Sequence, residues 1–302
     1  MTPWRTTLAF LLVASSLVRG DDAEDKAVEL IEKLGGKVIR VFREEAPKGK
    51  PVIVVQLTAL KDPKAGITDA LLKELKCLKE LQTLNFFGPK VTDEGMKEIK
   101  EIKSLKELTI IEAAITEAGL KELKELKNLR TLNLFGTRLT DACLKEIKEL
   151  KSLRTLDFGS PLVTDAGLKE IKELKELETL GFSAPRVTDE GLKELAGLAK
   201  LQSLTINRTP VTGAGLGGMR SLRFLSLARC DITDAGLKAI KELKDLRELN
   251  LVSTKVTDIG LQELKDLKDL RILTVSDTKV TDDGVADLQK ALPNLTVVRA
   301  KK

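Results

Sequence analysis

Leu129-Arg130-Thr131-Leu132-Asn133-Leu134-Phe135-Gly136-Thr137-Arg138-Leu139-Thr140-Asp141-Ala142-Cys143-Leu144-Lys145-Glu146-Ile147-Lys148-Glu149-Leu150-Lys151-Ser152 changes its hydrophobic period half-way along. In the first part Leu132 and Leu134 point one way and Thr131, Asn133 and Phe135 the other, the alternation of a short strand with one buried face. In the second part Leu144, Ile147 and Leu150 stand three apart with Lys and Glu between them, which puts one apolar stripe on a short helix. Thr140 supplies the expected N-cap hydroxyl and Asp141 a negative charge in the first turn, where the helix dipole favours it.

Outward from this coil the same phrase returns: a branched aliphatic, Thr, an acid, a small residue and Gly. It begins at Ile67, Val91, Ile115, Leu139, Val163, Val187, Val211, Ile232, Val256 and Val280, 24 residues apart at every step but one, which is 21. Leu71 and Cys143 stand in the glycine column of their coils, and Gly213 stands in the acidic column of its own. Self-similarity at a fixed period of this size marks a repeat array. Strands can then lie parallel and adjacent with helices on the opposite face, and because helices are wider than the strand spacing, the stack curves with helices outside. No coil buries its own apolar face, so the array is stabilised coil against coil.

The pattern L-x-x-L-x-L-x-x-T-x-V-T-D-x-G-L-K-E-L, over about residues 50–302, resembles the leucine-rich-repeat family. Within it the chain is similar to the cysteine-containing subclass found in F-box adaptors, and most to secreted bacterial proteins whose coils read T-x-V-T-D-A-G-L-K-E-L. The resemblance implies an α/β leucine-rich-repeat solenoid, a right-handed horseshoe with a parallel β-sheet on the concave face and short α-helices on the convex face. It also implies protein binding on the sheet. Where the subclass carries Cys, this chain has Thr137, Thr209, Thr254, Thr278, Pro89, Pro161, Pro185 and Ala113, with Cys230 alone conforming. The threonine hydroxyls are expected to satisfy buried loop carbonyls. No F-box-like segment is present, so ubiquitin-ligase adaptation is not carried over.

Whole-chain composition narrows the function. The formal net charge is +5, and lysines interleaved with glutamates, as in Leu168-Lys169-Glu170-Ile171-Lys172-Glu173-Leu174, read as solvated helix faces with no nucleic-acid footprint. There is no His and no Tyr, which excludes Ser–His, Cys–His and His-ligated metal chemistry within the chain. Residues 1–20 read as a secretory signal peptide, with Arg5 in the n-region, an apolar stretch Leu8 to Val18, and Val18-Arg19-Gly20 before Asp21. That apolar stretch is too short to span a bilayer, which takes about 20 residues. Cys77, Cys143 and Cys230 read as free thiols, without C-x-x-C spacing for metal or redox work.

Residues 21–50 depart from the repeat and are expected to form an N-terminal cap: a helix burying Ala27, Val28, Leu30, Ile31 and Leu34, started by Asp21 or Asp22 and stopped by Gly35-Gly36, then a strand from Lys37 to Phe42. The repeat array follows over 51–302. Its first strand is expected at Val52 to Thr58 and its last at Leu295 to Ala300, and one 21-residue coil occupies 211–231. In that short coil Gly213-Ala214-Gly215-Leu216-Gly217-Gly218 matches G-x-G-x-x-G, but Gly215 is the repeat glycine. The segment is expected to be a thin coil with a helix about three residues short, and not a dinucleotide site. Asn207-Arg208-Thr209 and Asn294-Leu295-Thr296 match the glycosylation acceptor pattern at positions the repeat itself explains.

The outward strand positions are where a partner would touch. The middle outward column reads Gln56, Asn85, Thr109, Asn133, Asp157, Gly181, Thr205, Ser226, Asn250 and Thr274, small and polar with Asp157 its only carboxylate. The next column holds Phe87, Ile111 and Phe135 on consecutive coils, then Gly159 and Ser183. Large apolar residues there either pack on adjacent loops or make a binding patch. Phe224, beside Arg223 and Arg229 on the short coil, is a second candidate. A basic row, Lys106, Arg130, Arg154, Arg223, Arg247 and Arg271, interrupted by Glu178 and Gln202, reads as a solvated rim or a surface for an anionic partner. The expectation is a secreted, periplasmic or cell-envelope scaffold, non-catalytic and monomeric, with no cofactor, no metal, no nucleic acid and no membrane insertion after leader removal. Its partner is an unidentified protein or cell-envelope macromolecule. A structural or adhesive envelope protein is the alternative, and an enzyme of unknown type the remote one.

Overall fold

Every coil contributes one strand to a single sheet whose strands run in chain order. The computed structural model describes residues 20–40, 51–58 and 67–299. The expected leader therefore lies outside the described residues apart from Gly20, as do residues 41–50 of the expected cap, Ala300, Lys301 and Lys302. The strands are β1 (Lys37–Arg40), β2 (Val52–Leu57), β3 (Thr83–Phe87), β4 (Glu107–Ile111), β5 (Thr131–Phe135), β6 (Thr155–Gly159), β7 (Thr179–Ser183), β8 (Ser203–Ile206), β9 (Phe224–Ser226), β10 (Glu248–Asn250), β11 (Ile272–Thr274) and β12 (Thr296–Val298). All pairs from β2 onward are parallel, whereas β1 lies antiparallel on β2. Between the strands run α2 (Asp69–Leu75), α3 (Asp93–Ile99), α4 (Glu117–Glu122), α5 (Asp141–Ile147), α6 (Asp165–Ile171), α7 (Asp189–Lys193), α8 (Asp234–Ile240), α9 (Asp258–Leu261) and α10 (Asp282–Ala291). The molecule is a right-handed leucine-rich-repeat solenoid, sheet inside and short helices outside.

The core is a stack of identical layers. In the coil from Leu129 the side chains of Leu129, Leu132, Leu134, Leu139, Leu144, Ile147 and Leu150 are all buried, each against its equivalents one coil up and down. The inward column Phe86, Ile110, Leu134, Phe158, Phe182 keeps register across β3 to β7, and Phe158 stacks on Phe182 at 5.7 Å between ring centroids. At the N-terminal end α1 (Gly20–Lys33) buries Ala27, Val28 and Ile31, with Leu34 half-buried. Leu30, expected in that face, is exposed, because at 100° per residue it falls outside the stripe that the others define. Gly36 lets α1 turn onto β2: a Cβ there would meet Leu57 Cδ2 at 2.5 Å and Ile31 Cγ2 at 2.7 Å.

The loops after the strands are of two kinds. In one, a residue in the left-handed region (Glu112, Gly136, Arg208, Arg229, Ser253 or Asp277) turns the chain. The next residue then points inward. Thr137, Thr254 and Thr278 donate their hydroxyls to the carbonyls of Leu134, Leu251 and Val275, and Thr209 donates to Asn207, as the resemblance led us to expect. The proline coils differ, and correct the expected column. Pro89, Pro161 and Pro185 are exposed, and the residue before each takes the inward place: Gly88, Ser160 and Ala184. A residue preceding proline is held in extended backbone, so it cannot make the left-handed turn and the inward position moves back by one. Ser160 there donates to Leu139 O at 2.6 Å.

The short coil corrects a second expectation. Residues 213–223 carry turns and no helix at all, among the described residues, where a helix merely three residues shorter was expected. Four glycines in the six residues 213–218, each about 1 kcal/mol less favourable than Ala in a helix, remove it.

The phrase V-T-D-x-G is a joint between coils. Asp165 receives the Thr188 N–H on Oδ1 at 2.8 Å and the Thr188 hydroxyl on Oδ2 at 2.7 Å, and the same Thr188 oxygen accepts the Glu190 N–H at 3.2 Å to cap α7. Each aspartate thus orients the threonine that caps the next helix. The arrangement recurs from Asp69 to Thr92, Asp93 to Thr116, Asp141 to Thr164, Asp234 to Thr257 and Asp258 to Thr281, and Asp189 holds Thr212 although no helix follows it. The glycine column is the other half of the joint. A Cβ on Gly167 would lie 2.5 Å from Asp141 Oδ1, and one on Gly95, Gly119, Gly191, Gly260 or Gly284 would fall likewise on the preceding coil's aspartate.

Candidate functional site

The middle concave column is aligned strand by strand as expected, from Gln56 through Asn85, Thr109, Asn133, Asp157, Gly181, Thr205, Ser226 and Asn250 to Thr274. Its centre is a polar chain. With the Asn133 amide oriented to satisfy both ends, its oxygen accepts from Thr109 Oγ1 at 3.2 Å and its nitrogen donates to Asp157 Oδ2 at 3.0 Å. Asp157 leans over Gly181, where any side chain would collide with Oδ1. Burial pushes the Asp157 carboxyl above its usual value. No second carboxylate faces it in this column, so the arrangement offers no acid–base pair.

Phe87, Ile111 and Phe135 are brought together. They pair directly across β3, β4 and β5, so the row is about 10 Å long at a strand spacing near 4.8 Å. Phe135 is 45% exposed, and Phe87 and Ile111 are half-buried. Phe135, at the outer end of the row, is the most exposed of the three. Beyond it Gly159 leaves open space, with nothing within 4 Å of where its Cβ would be.

Phe224 stands apart from that row, in the first outward column between Ser203 and Glu248. Arg223 lies at the strand-entry rim and Arg229 at the strand-exit rim, so the structure does not bring the two arginines together. Along the basic row, Arg154 pairs with Glu178 at 3.0 Å, Lys106 donates to Gln82 at 2.9 Å, and Arg271 is turned to the Lys268 and Leu270 carbonyls.

Sequence reasoning missed one feature. A groove of about 610 Å³ opens between the coils at Ile115 and Leu139, lined by Glu112, Ala113, Glu117, Arg138, Thr140 and Cys143 among others. It opens where the joint is broken. Glu117 stands in the aspartate column, makes no bond to Thr140, and leaves room for Cys143 in the glycine column. Thr140, the expected N-cap of α5, therefore makes no side-chain cap and turns its hydroxyl to Cys143 Sγ at 3.5 Å. Thr233, which follows Gly213, is uncapped for the same reason. The legible signal was the pairing of two departures one coil apart. The three cysteines are free, and burial holds the Cys230 thiol at about 11 and raises that of Cys77, so neither is a nucleophile at neutral pH.

A family profile described as Leucine Rich repeat matches residues 218–241 and 243–265, two successive units of the array. Residues 218–265 carry leucine-rich repeats. Among solved structures, the chain is similar to internalin C2 of Listeria monocytogenes at 26% identity, covering 78% of this chain and 84% of that one with a TM-score of 0.45. It is also similar to the internalin inlF of the same organism at 16% identity, covering 93% and 95% with a TM-score of 0.43. No curated protein matches it. No helix among the described residues is long and apolar enough to cross a membrane.

Proposed function

We propose that this leucine-rich-repeat protein is a secreted or cell-envelope binding scaffold, non-catalytic and monomeric, that holds a protein partner on its concave sheet. The observation that carries the reading is the row Phe87–Ile111–Phe135, three large apolar side chains in register beside the small and polar middle column of the concave face. Large apolar side chains left partly exposed on a sheet face can make the desolvated centre of an interface. The coils are locked together by the aspartate–threonine joints, so the surface is ordered before the partner arrives and little entropy is lost on binding. The leader-like residues 1–20 support export.

A photo-crosslinking residue placed at Phe135 should give one discrete adduct in the native culture, whereas the same residue at Ile259, 75% exposed on the convex side, should give none. Adducts of equal yield from both positions would overturn the concave-face reading. In Phe87→Ser/Phe135→Ser, the adduct formed by a crosslinker at Ile111 should disappear while the melting temperature holds. A large loss of stability without a partner would mean that the row is structural.

A further inference from the structure

Residues 195–230 contain no Asp and no Glu, in a chain that otherwise alternates Lys with Glu along its helices. The cations of this window after Lys200 are Arg208, Arg220, Arg223 and Arg229, all arginine, although lysine outnumbers arginine more than two to one in the whole chain. Lys200 is neutralised by Glu176 at 2.6 Å. The four arginines, and Arg247 beside them, are exposed and make no side-chain hydrogen bond or ion pair.

Their placement is ordered. Arg208 and Arg229 hold the same left-handed position on consecutive coils, at the strand-exit rim. Arg223 and Arg247 are neighbours at the strand-entry rim, where the Arg247 N–H donates to Arg223 O at 2.8 Å. The six residues of strand and turn from Arg223 to Arg229 separate the two pairs by about 20 Å at 3.3 Å per residue. Between them lies a floor of small neutral residues on β7 to β9: Thr179, Gly181, Ser203, Thr205 and Ser226, with Phe224 at the entry end. The floor has an acidic boundary on each side, Asp157 leaning over Gly181 and the exposed Glu248 on β10.

From this geometry we infer that the concave face over β7–β9 is a docking trough for an extended acidic peptide segment, laid along β9 with carboxylates clamped by Arg223/Arg247 at one end and Arg208/Arg229 at the other. Arginine is the residue suited to this, because its planar fork takes a carboxylate through two hydrogen bonds and stays charged at all working pH values. Phe224 offers an apolar contact to a side chain between the acids. Asp157 and Glu248 repel an acidic segment from the neighbouring strands and so fix its lateral position. The inference rests on the concave sheet being the binding face but not on the Phe87 row, which lies on β3 to β5, four or more strands from β9.

The test is fluorescence anisotropy with a labelled octapeptide bearing glutamates at both ends and leucine in the middle. Binding should weaken about tenfold or more in Arg208→Ala/Arg229→Ala and again in Arg223→Ala/Arg247→Ala, and should weaken with rising salt. Arg223→Lys/Arg247→Lys, which keeps the charge and loses the fork, should also bind less tightly. Arg138→Ala/Arg186→Ala, which removes two exposed arginines elsewhere, should bind like wild type, and so should Phe87→Ser/Phe135→Ser, which separates a failure here from a failure of the apolar row. Equal binding in either arginine-pair variant, or an equal loss in the Arg138/Arg186 control, would overturn the trough. A linear inorganic polyphosphate of matched charge displacing the peptide more strongly than unlabelled peptide would overturn the assignment to acidic peptide.

Discussion

The helix entries at Thr188 and Thr140 carry the same residue at the same point of the repeat and behave differently. At Thr188 the preceding coil supplies Asp165, the hydroxyl is held from one side, and its oxygen is free to cap α7. At Thr140 the preceding coil supplies Glu117, the hydroxyl finds only a cysteine sulfur, α5 starts uncapped, and a groove opens beside it. One methylene separates the two acids. A joint that needs both oxygens of a short carboxylate at a fixed place tolerates Asp and not Glu. Each column of the repeat is thus defined by its neighbour one coil away as much as by its own coil.

The largest expected effect lies in the intact joint. Asp165→Ala leaves the Thr188 N–H and hydroxyl without their carboxylate and disturbs the cap of α7, which should lower stability by about 2–3 kcal/mol in urea unfolding. Gly191→Ala, although alanine is the better helix former, forces a methyl onto Asp165 Oδ1 and should lower stability by about 1–2 kcal/mol. Made together, the two should lose less than their sum, because removing the carboxylate creates the space that the methyl needs. Additive losses would show that the glycine column has some other cause. Glu117→Ala, in the broken joint, should change little, within about 0.5 kcal/mol.

The broken joint should be repairable, with a smaller effect. Glu117→Asp alone places a short carboxylate against Cys143 and should not stabilise. Glu117→Asp/Cys143→Gly restores both halves, allowing the aspartate to hold Thr140 and Thr140 to cap α5. The double variant should gain about 1 kcal/mol and close the groove, with protection of the α5 amides from hydrogen exchange as the readout. Failure of the pair to stabilise where each single change is neutral would mean that the loops at Glu112 and Gly136, and not residues 117 and 143, set the gap.

Much of this architecture was legible because periodicity is a local property. The change from alternation to threefold spacing within Leu129–Ser152 places strand and helix, and the register of ten coils places Phe87, Ile111 and Phe135 side by side. What escaped was relational. Asp141 read alone is a dipole partner for α5. Only the stacking of coils shows that its carboxylate serves Thr164 and that Gly167 is glycine on its account. The proline loops escaped similarly, since counting along the sequence puts Pro161 in the inward column, whereas the backbone restriction on Ser160 turns that serine inward instead. The arginine trough was half visible as a basic row. Its second rim, Arg208 and Arg229, becomes a pair only when two coils of different length are laid on each other.

The smallest expected effect sets two aspartates on opposite faces of the solenoid against each other. Burial alone would raise the Asp189 carboxyl, but the Thr212 hydroxyl and the N–H groups of Thr212, Gly215 and Gly213 outweigh it and hold it below its usual value. A lowered carboxyl stabilises the fold above its unfolded value, near 3.9, and that contribution is lost as the pH falls through the folded value. Asp189→Asn should therefore weaken the fold at pH 7, with the difference from wild type shrinking below about pH 4. Asp157 has the opposite sign. Burial raises it, so the native state takes up its proton more readily than the unfolded chain, and the charged form opposes folding above the folded value. Asp157→Asn, which can keep an acceptor for the Asn133 amide, should raise the urea midpoint at pH 7, and that gain should vanish as the pH falls through the Asp157 titration. If both variants shifted stability in the same direction at pH 7, the two faces would not differ in how they treat a carboxylate. The proposed acidic boundary at Asp157 would then lose its physical basis, because that boundary depends on a charge kept on the concave face against the pull of burial.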